Sequence, residues 1–264
     1  MLGSRLAAVT QTLRIFFENA GGMFQLLLDT IYWTFAAPFR RKTEHRHHTF
    51  PLMEAIGNKS FGIVALVAFL IGVILVIQTG YILERYGQVR QVSGLVAVTV
   101  TRELGPLMTA IVLVARVGAA FTAGLGTMQI SDEVLALRTM SINPVGYLVA
   151  PRFIAIVVML PCLTVFSNIV GMAGGCIMGL TFGLDPWAYI DDSISFLQLQ
   201  DLISGLAKSI LFAAVICIVS CHMAFKVEGG PEGLARNTML SVVTQLVLLI
   251  MVDGLVAAFM QAVF

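Results

Sequence analysis

Four side chains stand out because their chemistry conflicts with their surroundings. Arg102, Glu103, Lys208 and Asp253 each sit inside a run of residues that is otherwise apolar. Ionisable groups in such runs are costly to place in a bilayer, and they mark ion pairs, ligand sites or proton paths. Arg102 lies eight residues in from Gly94, roughly 12 Å along a helix; Lys208 lies six in from Leu202, roughly 9 Å; Asp253 lies nine in from Ala262, roughly 13 Å. Two positive and two negative charges on three runs therefore reach a similar depth. One reading is a set of buried ion pairs, Arg102 or Lys208 with Asp253 or Glu103, that hold helices together. The other is a polar cavity for a charged head group, with the planar guanidinium of Arg102 gripping phosphate. Arg236 joins Lys208 and Asp253 as a further candidate cavity or ion-pair charge.

Such charges need apolar helices to carry them, and the composition supplies these. Of 264 residues, 58% are hydrophobic and 12% charged, where soluble domains carry roughly 25% charged residues. With a mean hydropathy of +0.91, an ordinary soluble globule is excluded, and the length divides into about five spans of roughly 20 apolar residues. The expected spans are 61–83, 94–121, 147–180, 202–225 and 239–262. Pro106 is expected to kink the second, and Pro151 and Pro161 to bend the third. Residues 122–146 read as a loop with a short helix through Asp132 to Met140. Residues 181–201 read as an acidic, aromatic loop whose Trp187 and Tyr189 are membrane-interface anchors or partner contacts.

Upstream, Leu6, Val9, Leu13, Phe16 and Phe17 alternate at helical spacing with Arg5, Gln11, Arg14 and Glu18, as in a helix lying along the membrane surface. Residues 23–39, with Asp29, Tyr32 and Trp33, read as an interfacial or re-entrant segment. Arg40, Arg41, Lys42 and Arg46, among His45, His47 and His48, form the most basic stretch and serve as a cytoplasmic anchor. Five spans then place the N-terminus in the cytoplasm and both the 181–201 loop and the C-terminus outside. The expected fold is an all-α integral membrane protein: residues 1–60 form N-terminal interfacial helices and a basic segment, and 61–264 a transmembrane domain. Residues 1–20 have no compact apolar core followed by a cleavage site, so no secretory signal is expected.

Several activities are disfavoured. A net charge of +1 gives no basic surface for nucleic acid. Cys162, Cys176, Cys217 and Cys221 lie within apolar runs without disulfide or zinc spacing and read as small core residues. Gly57-Asn58-Lys59-Ser60 lacks the glycines of a phosphate-binding loop, and neither H-E-x-x-H nor G-x-S-x-G occurs. Energy for any transport must come from a partner or an ion gradient. Gly171, Gly175 and Gly179, with Gly174 beside them, mark a face where another helix approaches closely, as a static contact or a subunit interface. Gly118, Gly124 and Gly126 mark a thin or flexible end of the second span.

The blocks Arg102-Glu103-Leu104-Gly105-Pro106, Ala115-Arg116-Val117-Gly118-Ala119-Ala120 and Leu125-Gly126-Thr127-Met128 carry a family resemblance. It continues through Ala136-Leu137, Met140, Asn143-Pro144, Tyr147-Leu148-Val149 and Pro151-Arg152, then at 229–236 and Asp253. In these blocks the chain resembles the MlaE/YrbE family of ABC-transporter permeases, which work with MCE-domain proteins in lipid trafficking across the bacterial envelope. The resemblance implies a homodimeric permease in the inner membrane that moves lipids, phospholipids above all; on the cavity reading of the membrane charges, Arg102 and Glu103 are the expected head-group contacts. It also implies a cytoplasmic coupling helix within residues 127–140, where Thr127, Met128, Ser131, Asp132, Glu133, Leu137 and Met140 meet a separate ATPase. Two positions depart from the family pattern: Gly124 where Glu is common, and Leu135 where Asp is common. The implied partners are a second copy, a cytoplasmic ABC ATPase, an MCE-domain protein, a small cytoplasmic regulatory subunit and membrane lipids. No cofactor is expected on this chain, and ATP with magnesium belongs to the ATPase. An ion-driven secondary transporter and a non-conducting membrane scaffold are the competing classes. Stimulation of a partner ATPase separates them, and the sequence has no internal duplication with broken helices to favour the first.

Overall fold

A computed structural model describes residues 21–34 and 44–263. The amphipathic stretch at 6–17 and the side chains of the basic stretch at 40–48 lie outside the described residues. The chain forms α1 (21–34), α2 (Glu44–Arg85), α3 (Gln91–Ile130), α4 (Glu133–Thr139), α5 (Val145–Phe182), α6 (Pro186–Phe196), α7 (Leu199–Phe225) and α8 (Gly230–Val263), with no strand among the described residues. Five of these, α2, α3, α5, α7 and α8, are long and apolar enough to cross a membrane.

The spans outrun their apolar cores. The first crossing segment begins at Thr49, not at residue 61, because Glu54, Asn58 and Lys59 interrupt the hydropathy without interrupting the helix. Likewise α8 starts at Gly230 rather than 239, and Glu232, Arg236 and Asn237 ride on its first turns. Residues 122–130, expected as a loop, continue α3. Their threonines stay helical by bonding back one turn, Thr122 to the Gly118 carbonyl and Thr127 to the Ala123 carbonyl. The 181–201 segment also holds a helix, α6. Asp185 caps it by accepting from the Ala188 N–H at 3.2 Å, and Pro186 occupies the first turn, where its missing N–H costs nothing.

Packing is closest between α2 and α5. A Cβ on Gly72 would fall inside the Gly171 carbonyl, and Gly174 lies against the Phe69 carbonyl. Gly175 and Gly179 instead receive the ring of Tyr189 from α6. Tyr189 is therefore a core residue rather than an interface anchor or partner contact, while Trp187 is 81% exposed. Leu113, Val114, Leu125, Ile156, Leu160, Phe212 and Ile216 from α3, α5 and α7 form the main core. Onto one end of it α1 docks through Leu26, with Trp33 over Gly146 and Gly22 against His222, while Phe24, Leu28 and Tyr32 stay exposed.

Two π turns interrupt α3, at Val100–Leu104 and Val114–Gly118. The first directly precedes Pro106. A proline ring clashes with the carbonyl four residues back, and widening the preceding turn relieves that clash. Near the second, a neutral polar layer joins α3, α7 and α8. Thr122 Oγ1 lies 2.8 Å from Ser241 Oγ and 3.3 Å from the Ser220 carbonyl oxygen, and Gln245 Nε2 donates to Ser241 Oγ at 2.8 Å.

Candidate functional site

A second, charged layer joins the same three helices toward the α6 end. The first π turn carries Arg102 and Glu103, and α7 answers both of them. Arg102 Nε lies 3.0 Å from Asp201 Oδ1, and Lys208 Nζ contacts Glu103 Oε2. Asp201 and Lys208 are seven residues apart, two helical turns, and so share one face of α7. From the other side Asp253 of α8 accepts from Lys208 Nζ at 3.0 Å. Close approach makes this possible, since a Cβ on Gly205 would run into the Thr101 carbonyl at the π turn.

Burial within the layer is uneven. The Lys208 side chain is fully enclosed, and that of Asp201 is 8% exposed. Asp201 is fixed twice over, because its Oδ2 also accepts from the Gln198 N–H in the capping box that opens α7. Arg102 and Glu103, by contrast, expose 42% and 41% of their side chains. Each accessible charge is thus backed by a buried counter-charge, which fixes its position and leaves its outer side open to a ligand. No described residue accepts from the two Nη groups of Arg102.

The expected ion pairs had to be drawn from Arg102, Lys208, Asp253 and Glu103. The structure joins Lys208 to both carboxylates but gives Arg102 a different partner, Asp201, which the sequence reading placed at the edge of a loop. Its signal was present in Gln198 and Asp201, three residues apart at a helix start. Arg236 does not belong to the layer: it is exposed on the second turn of α8, seventeen residues and roughly 25 Å from Asp253. Arg116, at the second π turn, donates from Nη1 to the buried Ser60 Oγ at 2.8 Å.

The residues expected to couple to an ATPase lie at the opposite end and on two helices rather than one. Thr127 and Met128 occupy the last turn of α3, Ser131 and Asp132 the turn, and Glu133 and Leu137 the short α4, with Met140 just beyond. Asp132 takes a left-handed conformation (φ 58°) and offers no side-chain cap, whereas Ser131 Oγ donates to Glu133 Oε1 at 3.1 Å. Only Val134 of α4 is buried, so Leu135, Arg138 and Met140 face outward. Gly171, Gly175 and Gly179 all face elements of the same chain. Gly118 meets Gln245 and Gly126 meets Leu234 and Val227, while Gly124 has nothing beside it.

Comparison with known proteins shows the family. The family model of the permease MlaE matches residues 49–259. A probable ABC transporter permease protein of Synechocystis is 36% identical over 203 residues, 76% of this chain and 77% of the relative. The chloroplastic TRIGALACTOSYLDIACYLGLYCEROL 1 protein of Arabidopsis thaliana is 34% identical, over 81% of this chain and 62% of its own length. The intermembrane phospholipid transport system permease protein MlaE of Haemophilus influenzae is 29% identical, over 83% of this chain and 86% of the relative. A match that begins where the first crossing segment begins and ends in the last turns of α8 takes in all five spans and both polar layers, and the chain belongs to the MlaE permease family.

Proposed function

We propose that the chain is the permease subunit of an ABC transporter that moves phospholipid between the bacterial inner membrane and an MCE-protein assembly. The observation that carries this reading is the pair Arg102 and Glu103, accessible on the spanning helix α3 and each anchored on a buried counter-charge. Arg102 offers hydrogen-bond donors to a lipid phosphate, and the apolar spans around it shelter acyl chains. The transport named for the Haemophilus influenzae relative supports the same cargo.

The chain works as a homodimer. Along α8, Leu240, Val243, Val247, Ile250 and Met251 form an exposed apolar face available to the second copy or to lipid. ATP hydrolysis resides in a separate ATPase, which docks on α4 through Leu135, Arg138 and Met140 and moves the two copies relative to one another. A small regulatory subunit sits on the same side. The α4 end and the N-terminus face the cytoplasm, and the α6 end and the C-terminus face the periplasm. The acidic Asp185, Asp191 and Asp192 of the α6 segment accord with this orientation.

The test is to co-express the chain with its ATPase and MCE partner, purify the complex and identify bound lipid by mass spectrometry. The reading predicts co-purified phospholipid that is lost in Arg102→Ala, and hydrolysis by the ATPase that responds to lipid. A stable complex with lipid no higher than detergent background would contradict it.

A further inference from the structure

The charged layer does not balance. Arg102 and Asp201 cancel, but the single ammonium of Lys208 meets two carboxylates, Glu103 and Asp253. With every group ionised, two positive charges face three negative ones, and the layer carries a net charge of −1. An uncompensated negative charge in a low-dielectric layer is costly, so the layer disfavours any ligand that brings further net negative charge. Lys208 is enclosed and Asp253 is 17% exposed, so an incoming group has its best access to Glu103. Glu103 is also the immediate neighbour of Arg102. The layer therefore exposes one guanidinium and one carboxylate on adjacent residues of α3, complementary in charge to a ligand that carries both a phosphate and a cation.

We infer that the preferred ligand is a zwitterionic phospholipid, whose phosphate pairs with Arg102 and whose ammonium pairs with Glu103 and cancels the charge that the phosphate brings. The inference rests on the lipid-carrying reading above and adds the head-group class. Phosphatidylethanolamine meets both requirements. Phosphatidylglycerol offers the same phosphate to Arg102 but brings a further negative charge into a layer that already has one in excess.

The full-length chain, purified in detergent, is equilibrated with mixed micelles of phosphatidylethanolamine and phosphatidylglycerol in equal amounts with identical acyl chains. Bound lipid is then counted by native mass spectrometry. Phosphatidylethanolamine is expected to exceed phosphatidylglycerol by about threefold, the size of one partly exposed ion pair. Glu103→Gln is expected to bring the ratio close to one, and Glu103→Asp to retain the preference. The wild-type chain gives a test that needs no variant: N-acetylated phosphatidylethanolamine, which keeps the phosphate but has no ammonium, should lose the advantage. Equal binding of the two natural lipids, or a preference that survives N-acetylation, overturns the inference while leaving a lipid-binding permease in place. Binding of neither lipid overturns the lipid-carrying reading itself, and this inference with it.

Discussion

Helices α3, α7 and α8 meet in two layers, and the two are built from different chemistry. In the layer near the second π turn, Thr122, Ser220, Ser241 and Gln245 are all buried, and every group is neutral. In the layer at the first π turn, Arg102, Glu103, Asp201, Lys208 and Asp253 are all ionisable, and two of the five side chains keep access to the outside. Neutral hydrogen bonds suffice to fix helix register in a membrane, where each contributes about 0.6 kcal/mol on average. Charges are a costly way to achieve the same result. The uncharged layer therefore accounts for cohesion at its level, whereas the other keeps two charged side chains accessible, the feature on which the proposed head-group role rests.

The largest effect should come from removing the shared cation. Lys208→Met leaves Glu103 and Asp253 facing each other without a counter-charge, and we expect a loss of about 3–5 kcal/mol in equilibrium unfolding by SDS. A loss no greater than that of Thr122→Val would erase the distinction between the layers. Next comes Gly72→Ala, which forces α2 away from the Gly171 carbonyl; about 1–3 kcal/mol is expected by the same measurement. Thr122→Val, which breaks the neutral layer at its centre, should cost about 0.6 kcal/mol and leave bound lipid per chain unchanged. Smallest of all is Gly124→Ala, where a Cβ meets nothing within 4 Å. It should be neutral or stabilising by up to about 1 kcal/mol, since alanine favours the helix over glycine. A clear destabilisation there would reveal a contact that the single chain lacks.

What could be read from the sequence follows from what each feature depends on. The five spans depend on local apolar content, which is why their number was legible while their ends were not. Polar residues such as Lys59 and Arg236 continue a helix beyond its apolar core, and hydropathy does not register them. The α6 helix was legible in principle from Asp185-Pro186, a cap followed by a first-turn proline, but acidic and aromatic content suggested a loop. Arg102, Glu103, Lys208 and Asp253 stood out because charge in an apolar run needs a reason. Their pairing did not, because it depends on a π turn and on Gly205 admitting the Thr101 carbonyl, neither of which leaves a local pattern. Asp201 was missed because it lies at the start of its helix, where an acidic residue needs no special explanation.

A single assay sets the charged layer against the neutral one. Phospholipid phosphorus per mole of purified chain is measured for the wild type, Arg102→Gln and Gln245→Leu, with folded protein matched by size-exclusion chromatography. Arg102→Gln is expected to lose most of its bound phospholipid while Gln245→Leu keeps the wild-type amount. Equal retention in both variants, or equal loss, would contradict the assignment of the charged layer to the head group.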